Sequence, residues 1–276
     1  MLHNLAALLE PTRGNGYAVA CFNVFGYEDA LAVVDAAERR NASVILAINL
    51  DMTRFMPVEH IAAMLRPLAE DSSASVCLHL DHCYEIETVK RAVDCGFTSV
   101  MYDCSQQPIE DNISGIREVV DYAKPHEVSV EAEVGSVPYA SGRDHIKSQL
   151  TEVQDARAMQ DQGRPTALAI SVGNVHRIET GFVDIDFEHF HKLRDNLELP
   201  LVIHGTSGIR PEDIQTLARN GVSKFNIGTN LRQRFGKTAR EKLVQDPDLF
   251  DRLTLMKQII PEVSDEAEKM IRLLGQ

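Results

Sequence analysis

Short runs of apolar and β-branched residues recur along the chain and alternate with longer stretches in which apolar residues are spaced by three and four positions. Runs of the first kind are typical of buried strands, and the longer spacing is typical of helices with one apolar face. We place the strands at residues 18–25, 43–49, 75–82, 98–104, 128–135, 167–174, 200–206 and 223–229. This alternation predicts a parallel sheet covered by helices.

Eight strand–helix units are the number that closes a (β/α)8 barrel. The alternative is a doubly wound open sheet, which normally has fewer strands and a glycine-rich fingerprint after strand 1, where this chain has FNVFGYED. The 276 residues suit one barrel, and no Pro-, Gly- or Ser-rich linker divides them. We therefore predict an α/β fold, a single TIM-barrel domain over residues 1–276.

Composition and charge limit the classes of partner. A formal net charge of -13 disfavours nucleic acid and anionic membranes, because both require a broad basic surface. The start, MLHNLAALLEPTRGNGY, lacks the features of a signal peptide, and no apolar run reaches membrane-spanning length. The five cysteines form no CxxC pair. We expect free thiols, a cytoplasmic location and a small-molecule partner.

Polar side chains are concentrated where the predicted strands end. In a barrel of this type the active site is built at the carboxyl ends of the strands, so such residues are candidates for function. They are Asp81 and His82, Asp103 and Ser105, Glu131 and Glu133, Asn174 and His176, His204, and Asn226 and Thr229.

Three histidines among them suggest a metal site. His82, His176 and His204 lie at three strand ends far apart in sequence, and converging imidazoles with an open fourth position are typical of catalytic zinc. Each histidine alone is more simply a polar residue at the barrel rim, but the set of three favours a metal. His79 lies inside strand 3 and is predicted to be either a buried hydrogen-bonding group or a group that supports a metal ligand from behind.

Two glycine-containing segments are candidates for phosphate binding. HGTSG follows strand 7 and offers backbone amides near Gly205 and Ser207, and NIGT precedes the next helix. Phosphate sites after strands 7 and 8 recur in this fold. A Gly/Ser turn alone is usually only a turn, but its position beside His204 favours a phosphate site.

The motifs HLDH, SVMYDCS, VSVEAEVG, LAISVGNVH, LVIHGTSGI and KFNIGTN occur in this order. Together they resemble those of the class II fructose-bisphosphate and tagatose-bisphosphate aldolases, over residues 22–232. The resemblance implies that His82, His176 and His204 bind Zn²⁺ or another divalent transition metal. It also implies that Asp81 is the acid/base at the cleaved bond.

The resemblance further implies a set of residues that contact substrate or phosphate: Asn226, Gly205, Ser207, Gly228 and Thr229. A monovalent cation, Na⁺ or K⁺, often accompanies the divalent metal in this family. Glu133 and Asp103 are candidates either to orient the metal ligands or to bind the metal themselves.

The chemistry of an aldol cleavage makes sense of these residues independently. Breaking the bond beside a ketone leaves negative charge, which a divalent cation stabilises. Asp81 can accept the hydroxyl proton as the aldehyde forms. A Schiff-base route would need a lysine at a strand end, and Lys224, the nearest candidate, is predicted to open strand 8 at the opposite end of the barrel.

Three features depart from the family pattern. Arg177 stands where members usually have glycine, and Asn49 stands where many have Ser or Thr; we take both as candidate substrate contacts. The side chain of Arg177 either clamps a substrate anion or turns outward to pair with an acid such as Glu179. The loop at residues 136–149 offers only Asp144 as an acid, and we expect this loop to be mobile and near the active site.

The sequence therefore predicts a metal-dependent aldolase that cleaves a phosphorylated ketose, of the ketose 1,6-bisphosphate type, to dihydroxyacetone phosphate and an aldehyde. The alternatives are an aldolase for another phosphoketose or 2-oxo compound, and a non-catalytic phosphate-binding subunit of an aldolase. We expect a small phosphosugar as partner, neither nucleic acid nor membrane, and a homodimer or homotetramer.

Overall fold

The computed structural model describes residues 1–140 and 146–276. Eight strands form a closed barrel in sequence order, every neighbour parallel, and the last strand pairs with the first. The strands are β1 Val19–Asn23, β2 Val44–Ile48, β3 Val76–Cys83, β4 Ser99–Tyr102, β5 Ser129–Val134, β6 Ala167–Ile170, β7 Leu201–Ile203 and β8 Val222–Ile227. The predicted (β/α)8 barrel is confirmed.

One short helix precedes the barrel and the others follow its strands. The helices are α1 Leu5–Leu9, α2 Tyr27–Arg40, α3 Leu50–Phe55, α4 Val58–Asp71, α5 Ile86–Asp94, α6 Ile109–Ala123, α7 Val153–Ala158, α8 Phe187–Asn196, α9 Pro211–Arg219, α10 Thr229–Gln245 and α11 Arg252–Leu273. In the described ranges, no helix is long and apolar enough to cross a membrane.

The helix α2 shows how local sequence sets an element. Glu28 and Asp29 lie in its first turn and Arg39 and Arg40 in its last, so both ends complement the helix dipole. Asn41 ends the helix in the left-handed conformation, with φ 49°. The helix therefore occupies the 27–40 span that its apolar spacing predicts.

Two apolar cores follow from the alternation of side chains along each strand. Outward-facing residues pack against the helices in one continuous core. A smaller core fills the barrel interior at the amino ends of the strands. There α1 closes the barrel from below: Leu5 and Leu9 are fully buried against inward side chains such as Cys77 and Val202.

Several strands end earlier than predicted. β6 stops at Ile170 and β7 at Ile203, because the polar residues that follow leave the sheet to line the carboxyl end of the barrel. Gly205 turns the chain there with φ 70°, and a Cβ at this position would come within 2.4 Å of the Val175 carbonyl oxygen. Only glycine is compatible with this close approach.

The prediction for Lys224 was wrong. It does not open β8 at the far end but is the third residue of the strand, paired with Val19 of β1. Its side chain is fully buried in the barrel interior, and its Nζ reaches Asn226 Oδ1 at 2.6 Å, towards the carboxyl end. The alternation of the strand turns Lys224 inward, because Phe225 next to it packs in the outer core.

Candidate metal centre and active site

The structure brings the three predicted histidines together at the carboxyl end of the barrel. The ring centroid of His82 lies 4.6 Å from that of His204 and 5.1 Å from that of His176. One ligand nitrogen of each ring lies within 4.8 Å of those of the others. Residues from three separate strand ends thus form one cluster, as predicted.

Carboxylates fix which nitrogen of two rings faces the cluster. Asp103 Oδ2 lies 2.7 Å from His82 Nδ1, and Glu131 Oε1 lies 3.0 Å from His204 Nε2. Since a carboxylate accepts, these nitrogens carry the protons and the opposite ones present lone pairs. Asp103 is therefore placed to orient His82, and Glu131 to orient His204.

The remaining ring nitrogens are buried without a hydrogen-bond partner in the part of the chain that the structure describes. They are His82 Nε2, His176 Nε2 and His204 Nδ1. Buried polar atoms are rarely left unsatisfied because this costs about 1–3 kcal/mol each. Three lone pairs that face one another fit a divalent metal bound by three imidazoles.

Glu133 stands beside the same cluster. His82, Asp103 and Glu133 form a second group whose ligand atoms lie within 4.8 Å of one another. Glu133 Oε2 is 3.2 Å from His204 Nδ1, without the geometry of a hydrogen bond. The position of Glu133 is that of a candidate additional or alternative ligand.

The electrostatics of the cluster favour a cation. Burial disfavours the charged form of His82, but the carboxylates of Asp81 and Asp103 outweigh burial and raise its pKa to about 10. For His176, by contrast, burial and the neighbouring histidines lower the pKa well below its usual value. The acids around the cluster thus stabilise a positive charge at His82, which is a proton when no metal is bound and which a bound metal would replace, while His176 stays neutral, as a metal ligand must.

Asp81 lies next to the cluster as a carboxylate. Burial would raise its pKa, but His82, His204 and Lys224 outweigh burial and lower it to about 2. Its two oxygens accept hydrogen bonds from Asn23 Nδ2 at 2.7 Å and Asn226 Nδ2 at 3.0 Å. An ionised, oriented carboxylate is suited to accept a proton.

Asn23 was missed at the level of sequence. It is the last residue of β1, so the rule that points to polar residues at strand ends would have found it.

Two residues of the site have strained backbones. His82 and Arg177 adopt left-handed conformations with φ 48° and 56°. Such strain costs about 1–3 kcal/mol in a non-glycine residue and clusters at functional sites. The conformation of Arg177 also fits the glycine that the family pattern has at this position, because glycine adopts it without strain.

One cleft above the histidines is lined by the predicted substrate contacts, which are Asn49, Arg177, Gly205, Ser207, Asn226, Gly228 and Thr229. Asp81, His82 and His176 line the same cleft. The hydroxyl of Ser207 is buried without a hydrogen-bond partner among the described residues. The backbone N–H of Arg232 donates a hydrogen bond to the carbonyl oxygen of Gly228 at 3.2 Å. The backbone amides that precede Arg232 therefore belong to the first turn of α10, at the amino end of the helix.

Arg177 lies at the mouth of this cleft. Its guanidinium bonds to Asp51 Oδ2 at 2.8 Å and lies 5.2 Å from the centroid of the Tyr139 ring. The structure thus shows Arg177 paired with an acid, as the second alternative predicted, but the acid is Asp51 and not Glu179. Asn49 lines the same cleft, where its side chain accepts a hydrogen bond from Met52 N and begins α3.

The loop after β5 is described in part. Ser136 pairs with Gln149, and Ala140 N donates to His176 O at 3.0 Å. The Tyr139 ring stacks on His176 with centroids 4.6 Å apart, a contact that nothing in the sequence predicted. Asp144 and the other residues at 141–145 lie outside the described residues, and the predicted mobility of the loop stays a prediction.

A family model for class II fructose-bisphosphate aldolase matches residues 3–276. The chain belongs to this family. Fructose-bisphosphate aldolase from Geobacillus stearothermophilus is 36% identical over 250 residues, 88% of this chain and 86% of that protein. A relative named 6-phospho-5-dehydro-2-deoxy-D-gluconate aldolase, from Shouchella clausii, is 32% identical over 274 residues, which cover 98% of this chain and 94% of that protein.

Solved structures agree with this assignment. The crystal structure of the YdjI aldolase from Escherichia coli K12 matches with a TM-score of 0.86 and 29% identity, covering 100% of this chain and 98% of that one. The protein is therefore an aldolase, a carbon–carbon lyase of a family that is generally metal-dependent. Because the relatives are named for different substrates, the family alone leaves the substrate open.

Proposed function

We propose that the protein uses a divalent metal, Zn²⁺ or a similar transition metal, to cleave a phosphorylated ketose reversibly to dihydroxyacetone phosphate and an aldehyde. The observation that carries the proposal is the set of three unsatisfied imidazole nitrogens beside the carboxylate of Asp81. A ketose 1,6-bisphosphate is the first candidate substrate.

In the proposed reaction His82, His176 and His204 hold the metal. When bound, the metal would supply a Lewis acid that stabilises the negative charge left on the ketone side of the broken bond. Asp81 accepts the proton of the hydroxyl on the aldehyde side, while Asn23 and Asn226 hold its oxygens in place.

The phosphate of the ketose would lie between the turn after β7 and the start of α10. Gly205 and Gly228 line the cleft, and Ser207 and Thr229 offer hydroxyl groups. The amino end of α10 adds amides and the positive end of a helix dipole. This arrangement supports binding of a phosphate despite the net charge of -13.

A silent accessory subunit is the alternative from another functional class. Such a subunit would need the phosphate site between the turn after β7 and the start of α10. It would need neither the three histidines nor an ionised Asp81 beside them. Burying these groups together is costly in free energy, and a purely structural barrel gains nothing evident from it.

A chelator-controlled aldol assay tests the proposal. The purified enzyme is given dihydroxyacetone phosphate with a series of aldehydes, first as isolated, then after chelation, then after Zn²⁺ is restored. Carbon–carbon bond formation should require the metal. Turnover that persists in metal-free protein would contradict the proposal, and parallel runs in Na⁺ and K⁺ would test the expected monovalent cation.

We further propose that Arg177 leaves Asp51 when substrate binds and contacts an anionic group of the substrate instead. Its place at the cleft mouth and its planar fork of donors support this. The relative from Shouchella clausii is named for a substrate with both a phosphate and a carboxylate, so sugar-acid phosphates belong in the panel.

Arg210 provides a matched control for Arg177. It likewise pairs with an aspartate, Asp184 at 2.9 Å, and lies over an aromatic ring, Phe182, but it is not among the residues lining the described cleft. Arg177→Gly should raise the KM of the preferred substrate about tenfold or more, whereas Arg210→Ala should not. Unchanged kinetics of Arg177→Gly across the panel would show that this side chain has no role in specificity.

The expected homodimer or homotetramer also stays a proposal. The exposed apolar side chains around the turn between α10 and α11 support it: Val244, Phe250 and Leu253 are 78%, 96% and 69% exposed. Light scattering on the eluting protein should give a multiple of 30.7 kDa. A monomer at micromolar concentration would contradict self-association.

A further inference from the structure

The ammonium group of Lys224 lies at the junction of two hydrogen-bonded branches inside the barrel. Lys224 and Glu131 are both fully buried, with Nζ 2.9 Å from Glu131 Oε2 and 3.1 Å from Oε1. The same Nζ donates to Asn226 Oδ1 at 2.6 Å. One cation therefore contacts residues on β5 and β8 at once.

The first branch leads to the metal cluster. Glu131 Oε1, held by Lys224, accepts the proton on His204 Nε2 at 3.0 Å. This contact leaves His204 Nδ1 without a proton and facing His82 and His176. If Glu131 rotated away, His204 could place its proton on either nitrogen and lose its orientation.

The second branch leads to Asp81. An amide side chain has one acceptor and one donor end, and Lys224 contacts the acceptor end of Asn226. The donor end therefore points to Asp81 Oδ1, 3.0 Å away. A flipped amide would set Nδ2 against the ammonium and Oδ1 against the carboxylate, so both contacts would become repulsive.

We infer that Lys224 is a positioning residue that orients, from one point, both the metal-facing nitrogen of His204 and the carboxylate of Asp81. This role rests on the proposed function of those two residues. Lys224 is not among the residues that form the histidine cluster or line the cleft. Its direct contacts are with Glu131 and Asn226, and its charge also helps to keep Asp81 ionised.

A simpler role for Lys224 would be to neutralise Glu131, since an unpaired buried charge is strongly destabilising. The two roles predict different behaviour when both charges are removed together. In Glu131→Gln/Lys224→Met no buried charge is left unpaired, and the amide oxygen introduced at position 131 can still accept from His204 Nε2. Asn226, however, has lost the donor that sets its orientation.

The experiment compares the parent, Lys224→Met and the double variant for Co²⁺ affinity, measured by absorbance, and for kcat and KM at saturating Zn²⁺. Lys224→Met should bind Co²⁺ about 10–100-fold more weakly and lose kcat by a similar factor with little change in KM. The double variant should regain much of the Co²⁺ affinity while its kcat stays low.

A double variant with parental kcat would overturn the inference, because charge balance would then be the whole role of Lys224. Parental Co²⁺ affinity in Lys224→Met would also overturn the inference. Because this measurement needs no aldolase activity, its outcome is separate from failure of the proposed function. If Lys224→Met does not fold, the double variant decides. Ser99→Ala, which removes a buried hydrogen bond to His79 in the same interior, is the control and should keep parental values.

Discussion

The two ends of the barrel interior are built from the same strands but differ in chemistry. At the amino ends, the leucines of α1 pack on small apolar side chains such as Cys77 and Ala167. At the carboxyl ends, a few residues further along, the interior consists of groups such as Asp81, Glu131 and His204, all buried. Strand β3 makes the whole change within Cys77, His79 and Asp81.

This difference shows how one barrel separates stability from reactivity. Burial of apolar area at the amino end contributes roughly 25 cal/mol per Å². Burial of charges at the carboxyl end costs free energy that hydrogen bonds offset, and in the proposed function a bound metal would offset more of it. Substitutions at the two ends should therefore fail in different ways.

The largest effect should come from losing a metal ligand. His204→Ala leaves too few imidazoles to hold the ion, so we expect both metal content and turnover to fall to background. Elemental analysis and the aldol assay measure this. His60→Ala, an exposed histidine on α4, should retain about one equivalent of metal; retention by His204→Ala would rule out the proposed site.

Replacing the proposed acid/base should separate chemistry from binding. Asp81→Ala should keep the metal and bind substrate, yet lose kcat by about 10²–10⁴-fold, because the hydroxyl proton has no acceptor. Single-turnover kinetics with parallel metal analysis check this. A fully active variant would move the role to Glu133 or Asp144.

A substitution at the amino end should do the reverse. Leu9→Ala removes a fully buried side chain beneath the barrel and should lower the free energy of unfolding by about 2–5 kcal/mol. The kcat of the folded enzyme should stay unchanged. Leu150→Ala, at a leucine that is 41% exposed, is the matched control and should change stability by less than about 0.5 kcal/mol.

The smallest effect should come from the carboxylate behind His82. Asp103→Asn weakens the acceptor at 2.7 Å from His82 Nδ1, so metal affinity should fall by about 10–100-fold without loss of the fold. Competition with a chelator measures it. Equal affinity in the variant and the parent would show that His82 keeps its orientation without this contact.

The sequence predicted what depends on periodicity and on strand ends. Apolar runs located all eight strands, and the polar residues that follow them located His82, His176 and His204. These features are local in sequence, and the closed barrel then brings them together. The carboxyl ends of all strands meet at one end of a parallel barrel, so polar residues at those ends are also predicted to lie close together.

What the sequence could not predict depends on side-chain direction across long separations. Tyr139 and Arg177 lie in loops that have no periodicity, and their contacts with His176 and Asp51 could not be read from spacing. Lys224 was misplaced because apolar spacing gives neither the residue at which β8 begins nor the direction in which a long, inward-facing side chain extends. Both failures concern orientation rather than the identity of the elements.

The leucine plug formed by α1 also affects the order of events during turnover. Because the described interior is sealed at the amino end, reactants and products share the opening at the carboxyl end. Whichever product lies against the histidines must wait until the other has left, so we expect sequential release. Helix α1 would thus impose a fixed order of product release, although it contacts neither product.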